Sequence, residues 1–347
     1  MKKLLLLSLI LIANSPFAAS SESEQKVYPN TTWAIGTIVT SQVKADSEEK
    51  ANFCHKIVND ETRRLEYLLS AYDPDSDISK LGKNAGSWVE VSKETAEVLR
   101  LSNKISSETH GTYDPTVGAL VKLWSVDQDT HRIPGNEEIK NALKNVGYSS
   151  IEVKTEDGKN FAKIGPNQEI TLGAIGKGYI ADKVMEVLLK NGCSDSLLSF
   201  GGNIIGSGTN GENQPWRVGL QTPAKDRGYY FAILPVDNAS IVTSGDYEKF
   251  FVQDGVKYHH LLNPLTGKPV RATLSSVTIY HKNSATADAL CTALFVMGWD
   301  EAINYLKEHP DLMAVLMDED HLKVAYTKNL EGKLRIVDDY LKASIIQ

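Results

Sequence analysis

The stretch Ser284-Ala-Thr-Ala-Asp-Ala-Leu-Cys-Thr-Ala-Leu-Phe-Val-Met-Gly298 is almost entirely small or apolar, which predicts a buried helix ending near Gly298. Asp288 and Thr292 lie within it, four residues apart and therefore on one face of the helix. Such a pair can supply two oxygen ligands to a hard cation such as Mg²⁺. It can equally be structural, with Asp288 capping the helix and Thr292 bonding to its own backbone. Both interpretations stay open on this stretch alone.

A glycine-rich turn earlier in the chain is a second candidate site. Residues Glu169 to Asp182 predict a short strand, the turn Gly173–Gly178 and a helix that continues to about Asn191. Such a turn at a helix N-terminus, with Lys177 inside it, suits a phosphate group. The spacing fits neither G-x-x-x-x-G-K-[ST] nor G-x-G-x-x-G, so the turn matches no standard nucleotide loop. A purely structural turn is the alternative.

A histidine pair ends a predicted hairpin. Residues 250–252 and 256–262 have strand composition and flank Asp254-Gly255, a dipeptide typical of tight turns. The ordinary pKa of a histidine lies near neutrality, so His260 could accept a proton from an incoming hydroxyl. A hydrogen-bonded structural histidine is the alternative. Because side chains alternate along a strand, only one of His259 and His260 is expected to face the site.

The other elements predict an α+β fold. Thr31–Thr40 has strand composition, a long helix follows and ends at about Ser70, and Ser92 caps another helix. Gly111–Leu120 predicts a loop in which Pro115 keeps the preceding Asp114 extended, either as a structural turn or as part of a site. Strands and helices mix without a βαβα order, which favours α+β over a parallel α/β fold.

No linker-like segment interrupts the mature chain. We therefore expect residues 21–347 to form one catalytic unit with two lobes, approximately 26–165 and 166–347. The chain has 347 residues, 41% of them hydrophobic and 23% charged, as in ordinary globular proteins. The net charge is −7 and no long basic run occurs, so nucleic acid is not an expected partner.

The N-terminus has the pattern of a secretory signal peptide. Lys2 and Lys3 precede an apolar run, small residues follow, and we expect residues 1–20 to be removed. The apolar run is too short to span a bilayer, so the mature protein is expected to be periplasmic and soluble, without a transmembrane span. An uncleaved anchor is the alternative. The first cysteine is Cys54, which argues against a lipid-anchored N-terminus.

The three cysteines are Cys54, Cys193 and Cys291. An odd number in an oxidising compartment allows at most one internal disulfide, and the spacing suits no metal site. Cys291 lies in the predicted buried helix, where a small apolar residue is expected.

Taken together, these candidates suit a diphosphate. Asp288 and Thr292 could hold Mg²⁺, and the Gly173–Gly178 turn could add backbone groups and Lys177. A metal between two phosphates neutralises charge and exposes phosphorus to attack. His260 would then accept the proton of the attacking hydroxyl.

The motifs resemble those of the ApbE family of FAD:protein FMN transferases, flavin-trafficking enzymes of the bacterial periplasm. The matching segments occur in the family's order and cover essentially the whole mature chain. They are Tyr72-Asp-Pro-Asp-Ser76, Thr112-Tyr-Asp-Pro-Thr-Val-Gly118, Leu172-Gly-Ala-Ile-Gly-Lys-Gly-Tyr179, Phe200-Gly-Gly-Asn203, Thr243-Ser-Gly-Asp-Tyr247, His259-His-Leu-Leu-Asn-Pro-Leu-Thr-Gly267 and Ala287-Asp-Ala-Leu-Cys-Thr-Ala293.

The resemblance implies roles for individual residues. It implies a two-lobed architecture related to the T-fold, with mixed, mainly antiparallel sheets and packed helices. Asp288, Thr292 and the carbonyl of Ala174 would bind Mg²⁺, and His260 would be the catalytic base. The residues that would contact FAD are Tyr72, Thr112, Tyr113, Asp114, Thr171, Lys177, Leu261 and Leu262.

Two positions depart from the family pattern. Thr171 stands where the family usually has Asp, so one nucleotide contact is expected to be weaker. Asn263 stands where the family has Asp before Pro, which preserves a turn but brings no charge.

The activity that the resemblance implies is Mg²⁺-dependent transfer of FMN from FAD to a Thr or Ser hydroxyl of an exported redox protein, with release of AMP. Such an acceptor could be a subunit of a Na⁺-translocating or electron-transport complex. The alternatives are hydrolysis of FAD to FMN and AMP, and a periplasmic flavin-binding protein without catalysis.

Overall fold

The computed structural model describes residues 25–347 except 127, 224, 226, 227, 248 and 272. The expected signal peptide, residues 1–20, lies outside the described residues. In the described part the helices are α1 (Glu48–Leu69), α2 (Asp77–Lys83), α3 (Lys93–Glu108), α4 (Gly118–Trp124), α5 (Asn136–Leu143), α6 (Gly176–Lys190), α7 (Ser284–Met297) and α8 (Trp299–Glu308).

The strands alternate irregularly with the helices along the chain. They are β1 (Lys26–Ala34), β2 (Thr37–Ala45), β3 (Val89–Val91), β4 (Glu152–Glu156), β5 (Lys159–Lys163), β6 (Ser196–Phe200), β7 (Asn203–Ser207), β8 (Trp216–Gln221), β9 (Tyr230–Val236), β10 (Ala239–Gly245), β11 (Phe250–Gln253), β12 (Val256–His259), β13 (Leu274–His281), β14 (Met313–Asp318), β15 (Lys323–Thr327), β16 (Arg335–Ile336) and β17 (Lys342–Ile346).

One large sheet organises the molecule. Its nine strands lie in the order β1-β2-β6-β7-β10-β13-β14-β15-β17, and every neighbouring pair is antiparallel except β15 with β17. Smaller sheets are formed by β16-β9-β8, by β3-β5-β4 and by the hairpin β11-β12. The predicted α+β class with mainly antiparallel sheets is therefore confirmed.

The large sheet is covered on both faces, so its central strands, such as β13, are buried on consecutive residues rather than on alternate ones. On β10, Val242 points into the main core formed with α1, α3, α6 and α7, whereas the adjacent Ile241 belongs to a second core. That second core lies between the large sheet and β8-β9, and Trp216 and Phe231 are buried in it. The helices over one face and the small sheet over the other form three layers.

A third, smaller core lies beside the main one. Leu120 and Trp124 of α4, Ile139 of α5, Phe251 of β11 and Leu262 pack together. The predicted division into lobes near residue 165 stays a prediction, and the main core contains buried residues from both sides of that position.

Two segments differ from the sequence expectation. Thr31–Thr40 is two strands rather than one, because Ile35 and Gly36, with φ values of 49° and 67°, form a tight turn between β1 and β2. The predicted loop Gly111–Leu120 already contains the start of α4, which begins at Gly118. By contrast, the structure confirms the helix ends predicted from sequence. The Ser92 side chain accepts a hydrogen bond from the Thr95 N–H, and Gly298 follows α7 directly.

Helices α6 and α7 approach each other very closely at Gly178. A Cβ atom on this residue would lie 2.3 Å from the Ser284 carbonyl oxygen and 2.7 Å from the Ala285 Cα. Backbone atoms of α7 cannot yield as a flexible side chain would, so only glycine fits.

We therefore predict that Gly178→Ala lowers the free energy of unfolding by about 3 kcal/mol, the upper end of the usual cost of overpacking. Gly82→Ala is the matched control, because Gly82 also lies in a helix but its added Cβ meets nothing within 4 Å. That control should be neutral or slightly stabilising. Urea unfolding of the two variants and the parent protein measures both effects, and equal stability of the variants would show that the helices are not this tightly packed.

Candidate active site

The candidate metal pair lies where α7 meets the N-terminus of α6. Asp288 is 3% exposed, and its Oδ2 accepts a hydrogen bond from the Gly178 N–H at 3.0 Å. The N-cap residue of α6 is Ile175, which offers no capping side chain. The carboxylate of Asp288 therefore caps α6 from the neighbouring helix and sits at the positive end of its dipole.

Asp182 makes the reverse connection. From the second turn of α6, its carboxylate accepts hydrogen bonds from the N–H groups of Ser284 and Ala285 and from the Asn283 side chain, at 2.7–2.9 Å. Each helix thus supplies the carboxylate that caps the other. Burial raises the pKa of Asp182 to about 6, although the two amide hydrogen bonds act in the opposite direction. Sequence reasoning missed this role, because its signal is a contact between residues 101 to 103 positions apart.

Lys177 completes the charged centre. Its Nζ lies 3.6 Å from Asp288 Oδ1 and donates to the Gly173 carbonyl at 3.0 Å. The Lys177 side chain is 30% exposed, whereas the Asp288 side chain is 4% exposed. A partly exposed cation beside a buried carboxylate is an arrangement that suits an anionic ligand bound together with a metal ion.

The donors present fit a hard cation. Asp288 Oδ1 lies 3.6 Å from the Lys177 Nζ, beyond ordinary hydrogen-bond distance, so its lone pairs are available. The hydroxyl of the half-buried Thr292 makes only a long contact, 3.4 Å, to the Asp288 carbonyl. The Ala174 carbonyl would bond the Gly178 N–H in a regular helix, but that N–H donates to Asp288. A carboxylate, a hydroxyl and a carbonyl are ligands that Mg²⁺ accepts. Among the described residues, no cluster of three or more His, Cys, Asp or Glu side chains could hold a metal.

The two histidines have different environments, as the alternation predicted. His259 is 4% exposed and its ring packs edge-on against Phe295, with centroids 5.6 Å apart. His260 is partly exposed, and its backbone N–H and ring Nδ1 both lie within 3.2 Å of the Lys249 carbonyl oxygen. A carbonyl only accepts hydrogen bonds, so this contact places the ring hydrogen on Nδ1 and leaves Nε2 with a free lone pair.

Burial, the largest cause, and the charge of Lys177 together lower the pKa of His260 to about 4. His260 is therefore neutral at pH 7 and close enough to Lys177 to feel its charge. A neutral imidazole with a free Nε2 can accept a proton. Sequence reasoning did not identify the Lys249 carbonyl as the orienting group, since a backbone atom leaves no sequence signal.

The Thr112–Asp114 loop is held by internal hydrogen bonds. Asp114 is 6% exposed, and its two oxygens accept from the N–H and hydroxyl of Thr116 and from the Tyr148 N–H, at 2.6–2.9 Å. Tyr113 is buried and hydrogen-bonds Ser102, and the charge of Asp288 adds to the rise of its pKa that burial causes. The loop is thus packed firmly, with Tyr113 near the metal pair.

The remaining candidates occupy the surrounding surface or core. Tyr72 is 75% exposed in the turn between α1 and α2. Thr171 donates its N–H to the Pro115 carbonyl at 2.8 Å, which joins the turn before α6 to the Thr112–Asp114 loop. Leu261 belongs to the main core and Leu262 to the third core. The structure therefore brings Lys177, Asp288, Thr292 and Ala174 to one place, with Tyr113 and His260 within electrostatic reach.

The fold and site define an α+β protein in which a buried carboxylate and a lysine meet at a helix N-terminus, with an oriented histidine within reach of the lysine charge. The sequence profile of the ApbE family matches residues 35–317, and the chain belongs to this family. An FAD:protein FMN transferase of Treponema pallidum is 30% identical over 90% of this chain and 90% of its own length. One of Vibrio cholerae is 34% identical over 72% of this chain and 76% of its own length.

Solved structures agree with this assignment. The ApbE protein of Thermotoga maritima superposes with a TM-score of 0.81 at 29% identity, over 89% of this chain and all of that one. The flavinyl transferase ApbE of Pseudomonas stutzeri in its apo form gives 0.78 at 25% identity, over 89% and 97% of the two chains.

We predict that Asp114→Asn destabilises the protein by about 1–2 kcal/mol, because an amide nitrogen cannot accept and would leave a buried N–H or hydroxyl unpaired. The cost of burying a carboxylate, which raises the pKa of Asp114, offsets part of that loss. Asp254→Asn, in the exposed turn of the β11-β12 hairpin, should change stability by less than about 0.5 kcal/mol. Thermal unfolding compares the two, and a neutral Asp114→Asn would mean that the loop does not depend on these hydrogen bonds.

Proposed function

We propose that this protein is an FAD:protein FMN transferase that moves FMN from FAD to a Thr or Ser hydroxyl of an exported target protein and releases AMP. The observation that carries the proposal is the placement of Lys177 and Asp288 at the N-terminus of α6, in a chain whose relatives bear that name over most of their length. Positive charge above a buried carboxylate suits a diphosphate bound through a cation.

FAD would extend between the exposed Tyr72 and Lys177. The aromatic ring of Tyr72 is accessible for stacking on the flavin. The partly exposed charge of Lys177 would face the phosphates. Nucleotide contacts would come from residues of the firmly packed loop, the turn before α6 and the end of the hairpin, namely Thr112, Tyr113, Asp114, Thr171, Leu261 and Leu262.

Asp288, Thr292 and the Ala174 carbonyl would hold Mg²⁺. The ion would supply charge neutralisation at the diphosphate and at the departing AMP. The chain's own contribution would be to hold the oxygens of Asp288 and Thr292 on α7 and the Ala174 carbonyl in the turn before α6, with the two helices capping each other. Such rigid placement matters, since phosphoryl transfer depends mostly on positioning and electrostatic stabilisation.

His260 would act as the general base. Its Nε2 would accept the proton of the target hydroxyl, while the Lys249 carbonyl keeps the ring in the productive tautomer. The hydroxyl oxygen forms a bond to the FMN phosphorus, and the bond from that phosphorus to the oxygen of AMP breaks.

Hydrolysis of FAD is the second candidate, and the partial exposure of His260 favours it. Water can reach the same base and would replace the hydroxyl, giving FMN and AMP. Transfer and hydrolysis would then compete at one site. The share of transfer would rise as more of the protein has an acceptor bound.

An exported, periplasmic location belongs to the same proposal. The structure contains a disulfide between Cys54 and Cys193, which are 139 positions apart in sequence, and such bonds persist in oxidising compartments. Cys291 is buried and unpaired, as expected from its helix. No helix in the described residues is long and apolar enough to cross a bilayer.

The metal ligands can be tested with matched substitutions. Asp288→Asn keeps an acceptor for the Gly178 N–H but weakens the cation site, so Mg²⁺-dependent transfer should fall by more than about a hundredfold, equivalent to several kcal/mol. Thr292→Val should behave similarly, whereas Thr292→Ser retains the hydroxyl and should keep most activity.

The assay incubates the protein with FAD, Mg²⁺ and a purified exported redox protein, followed by a denaturing gel scanned for flavin fluorescence. A fluorescent acceptor band shows transfer, and free FMN without a labelled band shows hydrolysis only. Full Mg²⁺-dependent turnover of Asp288→Asn would place the metal elsewhere.

The base can be tested through pH. Because the pKa of His260 is about 4 in the free protein, the base is neutral over most of the pH range. The kcat/KM for FAD should therefore stay level down to about pH 5 and fall only below it, rather than near the ordinary histidine value of about 6.5. His260→Gln should lower kcat by about 10²–10⁴-fold with FAD affinity largely retained. An acid limb at or above about pH 6.5 would contradict the burial argument.

A further inference from the structure

Asp182 is a carboxylate beside the candidate site to which the proposed chemistry assigns no part. It lies on α6, one helical turn after Gly178, and both of its oxygens face α7. Oδ1 accepts from the Ser284 N–H at 2.7 Å. Oδ2 accepts from the Ala285 N–H at 2.9 Å and from the Asn283 side chain at 2.7 Å. All three partners are N–H donors, so the position requires a group that only accepts hydrogen bonds.

The first turn of α7 is held by this carboxylate and by one further side chain. The N-cap residue Asn283 accepts through Oδ1 from the N–H and the hydroxyl of Thr286, at 2.8 and 2.6 Å. Its Nδ2 donates to Asp182, which determines the direction of the amide. The two side chains satisfy three of the four N–H groups that a helix N-terminus leaves unpaired. We call Asp182 and Asn283 together the α7 cap.

The α7 cap is the second of two polar contacts that join the helices. The other is made by Asp288, whose Oδ2 accepts from the Gly178 N–H at 3.0 Å. With that contact alone, α7 would be free to pivot about Asp288, and Thr292, one turn further along, would move relative to the turn before α6. The α7 cap holds the helix at Ser284, one turn on the other side of the pivot. Two contacts at different heights fix both the angle and the axial position of α7.

A metal site between these helices is sensitive to such a movement. Mg²⁺ requires nearly octahedral geometry with oxygens at about 2.0–2.1 Å, and functional groups must be held to within about 0.5 Å. Two of the proposed ligands, Asp288 and Thr292, lie on α7, whereas Ala174 lies in the turn before α6. A change in the angle between the helices therefore changes the distance from the Ala174 carbonyl to the Thr292 hydroxyl.

We propose that Asp182, together with Asn283, positions the ligands of α7 against the turn before α6 and in this way sets the affinity of the site for a divalent cation. The inference rests on the proposed function, in which Asp288, Thr292 and Ala174 bind Mg²⁺. Asp182 is a positioning residue, because its hydrogen bonds go to α7 and it acts on the cation through that helix.

The test measures cation binding rather than catalysis. Mn²⁺ is the probe, since the electron paramagnetic resonance signal of free aqueous Mn²⁺ is lost when the ion binds. Each full-length protein is titrated with Mn²⁺ at one fixed FAD concentration, so that Mn²⁺ held by free FAD is the same in every sample. Asp182→Asn should weaken Mn²⁺ binding by about 10–100-fold, the usual effect of removing a group that orients metal ligands.

Asn283→Ala separates position from charge. It removes half of the α7 cap without changing the net charge, and it should weaken Mn²⁺ binding several-fold. A loss of affinity in Asp182→Asn with none in Asn283→Ala would mean that the negative charge of Asp182, and not the position of α7, attracts the cation. That result would overturn the proposal. Asn283→Ala is also the milder substitution, and it decides the question if Asp182→Asn does not fold.

Asp77→Asn is the matched control for stability. The buried Asp77 carboxylate supports the N-terminus of a different helix, α3, by accepting from the Ser92 N–H and the Thr95 hydroxyl, both at 2.8 Å. Asp77→Asn should lower the melting temperature, as Asp182→Asn does, because each leaves buried donors without a good acceptor. It should leave Mn²⁺ affinity at the parental value.

Parental Mn²⁺ affinity in Asp182→Asn, or an equal loss of affinity in Asp77→Asn, would overturn the proposal and leave Asp182 as a structural cap. Absence of Mn²⁺ binding by the parent protein would overturn it as well. Failure of FMN transfer in the gel assay, with the difference in Mn²⁺ affinity intact, would count against the proposed function alone.

Discussion

The site depends on the close contact of α6 and α7. Gly178 removes the side chain that would keep the helices apart, and the carboxylates of Asp288 and Asp182 then cap the opposite helix. Helix N-termini leave backbone N–H groups unpaired, and a buried unpaired N–H costs about 1–3 kcal/mol. Separating the two helices would therefore expose several such groups together with two buried carboxylates. Because of this reciprocal capping, the position of Asp288 is fixed by two packed helices and not by a loop.

Burying two carboxylates between α6 and α7 has an energetic cost that a contact between apolar side chains would not have. Burial raises the pKa of Asp182 to about 6, so the folded state favours its protonated form and loses stability as the pH rises from about 4 to about 6. The Asp288 side chain is also buried, 3.6 Å from the Lys177 Nζ. Apolar residues of the same volume would often be neutral or stabilising in place of such buried charges. Local costs of this kind concentrate at functional sites, which agrees with the proposed metal site at Asp288.

The sequence predicted those parts of the structure that depend on local patterns. The apolar run of α7, the Ser92 cap and the alternation of His259 and His260 each depend on neighbours within a few residues, and the structure confirms them. The turn at Ile35-Gly36 was missed, because β-branched residues on both sides suggest one continuous strand. The partners of Asp182 and Asp288 lie about 100 positions away in sequence, so only the packed helices reveal that the two carboxylates are caps. The spacing of Asp288 and Thr292 suggested a metal pair as one of two interpretations, whereas the flavin contacts came from the resemblance alone.

The pKa of His260 is low in the free protein, and a bound ligand would change the charges that lower it. Burial and the charge of Lys177 both lower this pKa in the structure described here. A diphosphate placed against Lys177 would neutralise that charge and add negative potential near the imidazole, which raises the pKa of His260. A base works best when its pKa approaches the working pH, so His260 would become a stronger base once the dinucleotide is bound. The Lys249 carbonyl keeps Nε2 as the accepting atom in both states, because its contact with Nδ1 does not involve the ligand. The same lysine that attracts the phosphates would in this way couple their arrival to the basicity of the histidine.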